Sequence, residues 1–297
     1  MKRKRLFALV MVLLITPLIY LGTYYYKPDF VVWYTNVDPS ELSSLSVEIA
    51  FLDGFESPPI APKSFCYVDF GTAEDYRRYR NSSRYQDPPD FIVEPRPERP
   101  HEYFVKPWDK ERLRIMYERI DLAKSRGFYG VILDNAGTIY EYRKERNETS
   151  ALLVVNALYN VTQYAHSLGL KVVANVASLE LLYNVTFLDG VFREDVYFYE
   201  GRRVSDEREV ERLLEALYWV KDKGLEVFVT EYVTSYRDFE FVLDRLSDFM
   251  LFVTDEPYTY DHVPVRYKEP RLYLIVKEII TAVSLSKGMM SVSTTEE

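Results

Sequence analysis

The chain has 297 residues, of which 47% are hydrophobic, and this is enough material for one large domain with a substantial core. The formal net charge is -9 at pH 7 and no basic stripe follows the first five residues, so nucleic acid is not an expected partner. The single cysteine, Cys66, excludes an internal disulfide, and its apolar neighbours predict a buried position in a strand.

The first 26 residues have the pattern of an export or membrane segment. Four basic residues follow Met1, an apolar run extends from Leu6 to Leu21, and three tyrosines begin at Tyr24. No A-x-A-like cleavage site follows, so we interpret residues 1–26 as an uncleaved signal anchor, with a cleaved signal peptide as the alternative. We therefore expect a single-pass cell-membrane protein whose domain lies on the extracytoplasmic side, or a secreted protein.

Four N-x-S/T sequons support the expectation of export. They begin at Asn81, Asn147, Asn160 and Asn184. In an exported chain each can accept a glycan, which predicts a glycoprotein, although such triplets also occur by coincidence.

The N-terminal third of the chain is predicted to be rich in strands. Short apolar runs cover Phe30 to Tyr34, Ser46 to Asp53, and Ser64 to Gly71. The stretch from Gln86 to Pro107 is rich in proline and charge, and we interpret it as a loop.

From about residue 110 onward, helical patterns alternate with short β-branched runs. One helix is expected behind an Asp109 cap, and the next over about Leu153 to Leu168. Three junctions share one design, in which a glycine ends a helix two residues before a buried strand. The glycines are Gly127, Gly169 and Gly224.

Eight strands can be counted along the chain. Representative members are Val31, Val47, Phe65, Val131, Val172, Val191, Val227 and Met250. This number predicts an α/β fold, a single (β/α)8 TIM barrel over residues 27–286, followed by a polar C-terminal tail at 287–297. An open doubly wound sheet is the alternative, but no strand carries a Gly-rich dinucleotide or P-loop fingerprint.

The predicted strands end on acidic and amide side chains. These are Asp53, Asp69, Asp134 with Asn135, Asn175, Glu194 with Asp195, Glu231 with Tyr232, and Asp255 with Glu256. Reactive groups of β/α barrels lie at the carboxyl ends of the strands, and such a rim suits a polyhydroxylated ligand. Glycosidic cleavage needs two carboxyl groups, for which Asp134 and Glu194 are the candidates. Helix capping and surface ion pairs remain the alternative role of each single acid.

Metal and cofactor chemistry has little support in the sequence. None of the three histidines belongs to an H-x-H or HExxH arrangement, and we expect neither a metal nor a cofactor. An all-oxygen magnesium or calcium site formed by Asp53, Asp69 and Asp134 remains an alternative. No G-x-S-x-G elbow is present for a serine nucleophile.

Five segments, which cover much of the chain, carry a resemblance to a known family. They read VEIAFLDGF (47–55), YVDFGTAEDYR (67–77), GFYGVILDN (127–135), VVANVASLELL (172–182) and LDGVFRED (188–195). In these segments the chain resembles glycoside hydrolase family 114, the endo-α-1,4-polygalactosaminidase-like TIM barrels. The resemblance extends from about residue 30 to 280.

The resemblance implies roles for individual residues. Asp134 would be the nucleophile and Glu194 the general acid and base of an endo-acting glycosidase. The resemblance and the strand-end positions together make five residues candidates for substrate contact: Asp53, Tyr67, Arg77, Asn175 and Tyr232. Strand-end position alone adds Asp69, Asn135, Glu231 and Asp255.

Three positions depart from the family pattern. Thr72 and Gly137 stand where the family commonly has acids, and Asp69 stands where serine is common. We therefore expect an extracytoplasmic hydrolase of an amino-sugar-containing or related polysaccharide. A catalytically degenerate glycan-binding barrel and an envelope scaffold or interaction protein remain alternatives. The scaffold alternative predicts that the 86–107 loop covers the rim.

Overall fold

A computed structural model describes residues 23–24, 27–34, 40, 46–54, 57–74, 89–97, 99, 101–138, 148–176, 178–199, 201–255 and 269–270. The chain divides into a large unit, Pro28–Pro264, and a second unit that comprises Met1–Lys27 and Val265–Glu297. In the second unit, Thr23–Tyr24 pairs antiparallel with Glu269–Pro270. Most of the predicted signal segment, two of the sequons (Asn81 and Asn147) and the 287–297 tail lie outside the described residues. No described helix is long and apolar enough to cross a membrane.

Eight parallel strands form one sheet in the large unit, and each pairs with its neighbours in chain order. They are β1 (Phe30–Trp33), β2 (Ile49–Leu52), β3 (Lys63–Asp69), β4 (Gly130–Ala136), β5 (Lys171–Val176), β6 (Gly190–Glu194), β7 (Glu226–Tyr232) and β8 (Met250–Thr254). The prediction of eight barrel strands is confirmed.

The last strand returns to the first, which makes the sheet a nearly closed barrel. The Asp29 amide donates to the Leu251 carbonyl oxygen at 3.2 Å, and the Asp29 carboxylate accepts from the Leu251 amide at 2.9 Å. Phenylalanine rings fill the interior: the Phe30 ring lies 5.2 Å from the Phe228 ring, and the Phe51 ring lies 5.5 Å from the Phe192 ring. Because these pairs join distant strands, the barrel is a packed core and its chemistry is confined to the ends.

Five described helices accompany the strands. They are α1 (Lys110–Ser125), α2 (Glu148–Ser167), α3 (Leu179–Leu182), α4 (Glu207–Asp222) and α5 (Tyr236–Arg245). Asp109 caps α1 as predicted, since its carboxylate accepts from the Glu111 and Arg112 amides. Gly127, Gly169 and Gly224 have φ angles of 83°, 75° and 87°, which confirms the three glycine-ended junctions.

The prediction of a loop from Gln86 to Pro107 is wrong for the described part of that stretch. Strands Ile92–Pro95 and Glu102–Val105 pair antiparallel with each other, and the second also pairs with Thr72–Glu74, which gives a three-stranded sheet next to β3. Phe91 and Val105 are buried and pack against Ile115 of α1. The prolines and charged residues among these strands masked the apolar pattern in the sequence, so the small apolar core was not predicted.

Candidate active site

Side-chain alternation decides which groups at the strand ends face the barrel interior. Phe192 of β6 and Phe228 of β7 contact the Phe51 ring inside the barrel. Glu194 and Tyr232 follow these rings at even spacing, so they face inward as well. Glu231 is at odd spacing and faces away from the interior.

The side chain of Asn175 joins the two predicted catalytic carboxyl groups. Its Nδ2 atom donates to Oδ1 of Asp134 and to Oε2 of Glu194, in both cases at 2.9 Å. These two oxygens are therefore no more than twice 2.9 Å apart and point to one space above β5. Asp134, Asn175 and Glu194 are all partly exposed, so the small sheet does not seal the rim at this point.

The surroundings of Glu194 raise the affinity of its carboxyl group for a proton. Burial, and then the charge of Asp134, raise its pKa to about 7. The Tyr232 hydroxyl donates to Oε1 of Glu194 at 2.5 Å, and this bond with that of Asn175 acts in the opposite direction. A carboxyl group that titrates near neutral pH can donate and then accept a proton in one catalytic cycle.

Asp134 is surrounded by more hydrogen-bond donors. Burial raises the pKa of Asp134 above its ordinary value, and hydrogen bonds from the Asn175 side chain, the Asn135 backbone and the Tyr67 side chain oppose this rise without reversing it. In addition, Nδ2 of Asn135 donates to Oδ2 of Asp134 at 3.1 Å. Donors directed at both oxygens stabilise the ionised form, which is the form that a nucleophile requires.

A β-bulge follows Asp134 directly. Leu133 pairs with Ala174 and Ala136 with Val176, so β4 contains one more residue than β5 across this interval. Asn135 takes up the extra residue with a left-handed φ of 58°. This conformation directs the Asn135 amide to Asp134 and to Oγ1 of Thr72, which lies 3.1 Å away.

The turn after β3 supports the backbone of Asp134. The Phe70 and Gly71 amides donate to the Asp134 carbonyl oxygen at 3.0 and 3.1 Å. A Cβ atom on Gly71 would lie 1.8 Å from the Asn135 carbonyl oxygen, so only glycine allows this approach. Arg112 of α1 is buried and donates to the carbonyl oxygens of Asp69 and Thr72, which fixes the turn from the other side.

The predicted substrate-binding residues occupy different surroundings. Asp69 is buried, and its Oδ1 atom accepts from the Thr72 amide at 3.0 Å and the Thr72 hydroxyl at 2.8 Å. Glu231 is buried, and its two oxygens accept from the Tyr197 and Phe198 amides at 2.7 and 3.0 Å. Through these contacts each acid holds a neighbouring backbone segment at the rim in place. Direct contact of either acid with a substrate stays a prediction.

The remaining predicted contacts lie elsewhere along the rim. Asp53 is buried after β2, and Asp255 is exposed after β8. Tyr67 is buried beside Asp134, while Asn135, Asn175 and Tyr232 surround the two carboxyl groups, as described above. Arg77 lies outside the described residues. Substrate contact stays a prediction for all of them.

Four residues that the strand-end rule passes over take part in the site. Glu74 accepts from the Tyr67 hydroxyl at 3.1 Å, and Nη1 of Arg96 lies 3.5 Å from Oδ1 of Asn135. The other two, Thr72 and Arg112, hold the turn after β3. The glutamate in YVDFGTAEDYR was the available signal for Glu74. Within the described residues, no group of three or more His, Cys, Asp or Glu side chains could hold a metal ion.

A parallel β/α barrel with two carboxyl groups at the carboxyl ends of its strands has the architecture of many glycoside hydrolases. Residues 24–255 match the model of glycoside-hydrolase family GH114, so the chain belongs to this family of glycosidases. The resemblance of the five segments is thereby confirmed. The family match also covers the small sheet, although its strands were not predicted.

Relatives of this chain occur in bacteria and archaea. An uncharacterized protein of Thermotoga maritima is 27% identical over 239 residues, which cover 72% of this chain and 73% of the relative. The protein MJ1477 of Methanocaldococcus jannaschii is 27% identical over 203 residues, which cover 65% of this chain and 58% of the relative.

Solved structures show the same fold. The glycoside hydrolase domain of PelA from Pseudomonas aeruginosa is similar with a TM-score of 0.65 and 17% identity, over 80% of this chain and 98% of that domain. Aspergillus fumigatus Ega3, in complex with galactosamine, is similar with a TM-score of 0.59 and 15% identity, over 78% of this chain and 93% of that one.

Proposed function

We propose that this protein is a retaining, endo-acting glycosidase of an amino-sugar-containing or related polysaccharide. The Asn175 bridge between Asp134 and Glu194 carries the proposal. Retaining enzymes hold their carboxyl groups about 5 to 5.5 Å apart, and inverting enzymes about 6.5 to 9.5 Å apart, because a water molecule must fit between. The nearest oxygens of the two groups share one amide nitrogen at 2.9 Å, and this close approach favours the retaining range.

The surroundings of the two carboxyl groups support a division of roles. Glu194, whose pKa is raised to about 7, serves as the general acid and then as the general base. Asp134, with donors on both oxygens, attacks the anomeric carbon and forms the covalent intermediate. Water then attacks the anomeric carbon from the face that the leaving group has vacated, opposite Asp134, and the second inversion restores the original anomeric configuration.

The choice of an amino-sugar substrate rests on charge and on the family. The chain has a net charge of -9, and acidic side chains at the strand ends would attract the ammonium group of a deacetylated amino sugar. The Ega3 structure contains galactosamine, which makes galactosamine oligosaccharides the first substrates to test.

The test is product release from a polysaccharide panel by the wild type, Asp134→Asn, Glu194→Gln and the exposed control Asp248→Asn. We expect release by the wild type and the control, a loss of at least about a thousandfold in the other two, and a first product of unchanged anomeric configuration in proton NMR. Release that persists in both carboxyl variants would contradict the mechanism. An inverted first product would contradict the retaining assignment.

A glycan-binding barrel without activity is the second candidate, and it is suggested by Thr72 and Gly137. Each of these two residues has a specific place in the packing beside the two carboxyl groups. The Thr72 hydroxyl bonds Asp69, and Gly137 has a φ of 97° where a Cβ atom would lie 2.7 Å from a methyl group of Leu181. Binding without release from every glycan in the panel would favour this candidate.

We further propose that the barrel acts outside the cytoplasm, on the strength of the basic and apolar pattern of residues 1–26. Protease accessibility in intact cells, compared between the full chain and a variant without residues 1–26, tests this location. Protection of the full-length barrel would contradict it. Asn160 and Asn184 are exposed, and the same preparation shows by its mass whether they carry glycans.

A further inference from the structure

Tyr67 lies between two carboxyl groups, of which only Asp134 has a role in the proposed chemistry. Its hydroxyl donates to Oε1 of Glu74 at 3.1 Å, and both side chains are buried. The same hydroxyl is hydrogen-bonded to the Asp134 carboxylate. A phenol carries one proton, so it can donate to only one of the two groups at a time.

We propose that Tyr67 is a positioning residue whose hydroxyl moves its hydrogen bond between Asp134 and Glu74 as the nucleophile gains and loses its negative charge. The inference rests on the proposed retaining glycosidase function. It concerns the second chemical step, in which Asp134 has to depart from the sugar.

The charge on Asp134 changes twice in one cycle. In the first step its carboxylate bonds to the anomeric carbon, the glycosidic bond breaks, and the Glu194 proton passes to the departing oxygen. The resulting ester is neutral and is a weaker hydrogen-bond acceptor than the carboxylate. The Tyr67 hydroxyl therefore donates its hydrogen bond to Glu74 instead. In the second step Glu194 takes a proton from water, the water oxygen bonds to the anomeric carbon, and the electron pair of the ester bond returns to Asp134. A hydrogen bond from Tyr67 stabilises this returning charge.

The packing around Tyr67 allows this change without movement of the ring. Tyr67 is 2% exposed, and its ring lies 4.6 Å from the ring of Tyr34 at an angle of 54°. Only the hydroxyl hydrogen has to rotate. Glu74 is an effective alternative acceptor because its charge is close to the site: it raises the pKa of both Asp69 and Asp134.

The first test needs no substrate. Carboxyl-carbon NMR of protein labelled in aspartate, with Asp134→Asn to assign the signal, follows the Asp134 titration in the wild type and Tyr67→Phe. Loss of the donor should raise the pKa of Asp134 by about one unit. Tyr164→Phe is the matched control, because Tyr164 donates to Asp121 at 2.7 Å in an exposed tyrosine–carboxylate pair. An unchanged Asp134 titration in Tyr67→Phe would overturn the inference.

The second test separates the two chemical steps with galactosamine oligosaccharides, rapid acid quench and intact-protein mass spectrometry. In Tyr67→Phe we expect kcat to fall at least about tenfold, KM to fall with it, and a glycosylated Asp134 to accumulate. Glu74→Gln keeps the shape of the side chain but is a weaker acceptor. In this variant the Tyr67 hydroxyl stays hydrogen-bonded to Asp134. We therefore expect kcat/KM to fall and no glycosylated Asp134 to accumulate.

The outcomes distinguish the two proposals. Equal losses of kcat and kcat/KM in folded Tyr67→Phe, with no accumulated intermediate, would overturn the hydrogen-bond transfer and leave the glycosidase assignment intact. Should Tyr67→Phe fail to fold, accumulation of the intermediate in Glu74→Gln would likewise overturn it. No turnover by the wild type, together with the expected Asp134 titration, would count against the proposed function and not against the contact of Tyr67 with Asp134.

Discussion

Asn135 and Asp195 have the same left-handed backbone conformation, with φ angles of 58° and 59°, directly after the two carboxyl groups of the site. Asparagine and aspartate tolerate this region better than other residues with a side chain. At Asn135 the conformation coincides with the bulge in β4, and at Asp195 the amide donates to the Thr230 carbonyl oxygen at 3.1 Å. The strands of both candidate catalytic carboxyl groups are therefore followed by a backbone conformation that costs energy and sets the direction of the preceding carboxyl group.

Replacement of Asn135 by alanine should destabilise the protein more than replacement by glycine. The left-handed conformation destabilises the folded alanine variant by about 1 to 2 kcal/mol. Alanine also makes the unfolded chain less flexible than glycine does, which stabilises the folded state by only about 0.4 to 1 kcal/mol. Urea unfolding should show the glycine variant as more stable by up to about 1.5 kcal/mol. The same pair of substitutions at Asn156, an exposed position in α2, should give the opposite order because glycine is the poorer helix former. Identical orders at the two positions would exclude backbone strain as the cause.

Asn175→Ala should lower kcat by at least about a hundredfold, since two hydrogen bonds to carboxyl groups are lost and each contributes about 1.5 to 3 kcal/mol. Steady-state kinetics on the substrate identified by the panel provides the measurement. Asn184→Ala is the control, because its amide donates at 3.0 Å to a backbone carbonyl on an exposed surface. Comparable losses in the two variants would mean that the bridge has no special role.

Tyr232→Phe should move the alkaline limb of the kcat/KM profile to higher pH. Glu194 must hold its proton to act as an acid, so activity should fall as the pH rises through its pKa of about 7. The Tyr232 bond stabilises the ionised form, and its loss raises this pKa by about one unit. Tyr218→Phe removes a similar bond to the exposed Asp248 and should leave the limb in place. A limb that stays fixed in Tyr232→Phe would show that Glu194 is not the titrating acid.

The eight strands and the glycine-ended junctions could be predicted because their signals are local. A cap at Asp109, a glycine such as Gly127 and a β-branched run each occupy adjacent positions in the chain. The small sheet could not be predicted in this way, because Thr72–Glu74 pairs with Glu102–Val105 far along the chain. Its apolar contacts are few and lie among prolines.

The strand-end rule identified side chains that lie together at one rim, but not the direction of each side chain. Glu194 and Glu231 both end buried strands, yet alternation turns the first into the barrel and the second to the Tyr197 and Phe198 amides. Glu74 belongs to the small sheet and contacts the site through Tyr67, and Arg112 belongs to α1 and contacts the turn after β3. Such contacts depend on tertiary packing, which no local pattern in a single sequence contains.

The stability of the protein should depend on pH through Asp69. Burial raises the pKa of this carboxyl group from 3.8 to about 7, with the charge of Glu74 as the next cause. The folded state therefore binds more protons than the unfolded state between these values, so the contribution of Asp69 to the free energy of unfolding falls as the pH rises from about 4 to about 7. A shift of this size corresponds to at most about 4 kcal/mol.

Asp69→Asn should remove this dependence, because asparagine has the shape of the protonated acid and does not titrate. Urea unfolding at pH 5 and pH 8 should therefore show the variant gaining stability relative to the wild type at the higher pH, by up to about 2.5 kcal/mol, since this interval covers only part of the shift. Arg112 loses an ionic neighbour 3.8 Å away, which lowers the stability of the variant most where Asp69 would be ionised and so reduces the gain. The exposed Asp248→Asn should follow the wild type at both values. A variant that loses stability relative to the wild type between pH 5 and pH 8 would show that Asp69 is already ionised in the folded protein, held by Arg112 and Thr72.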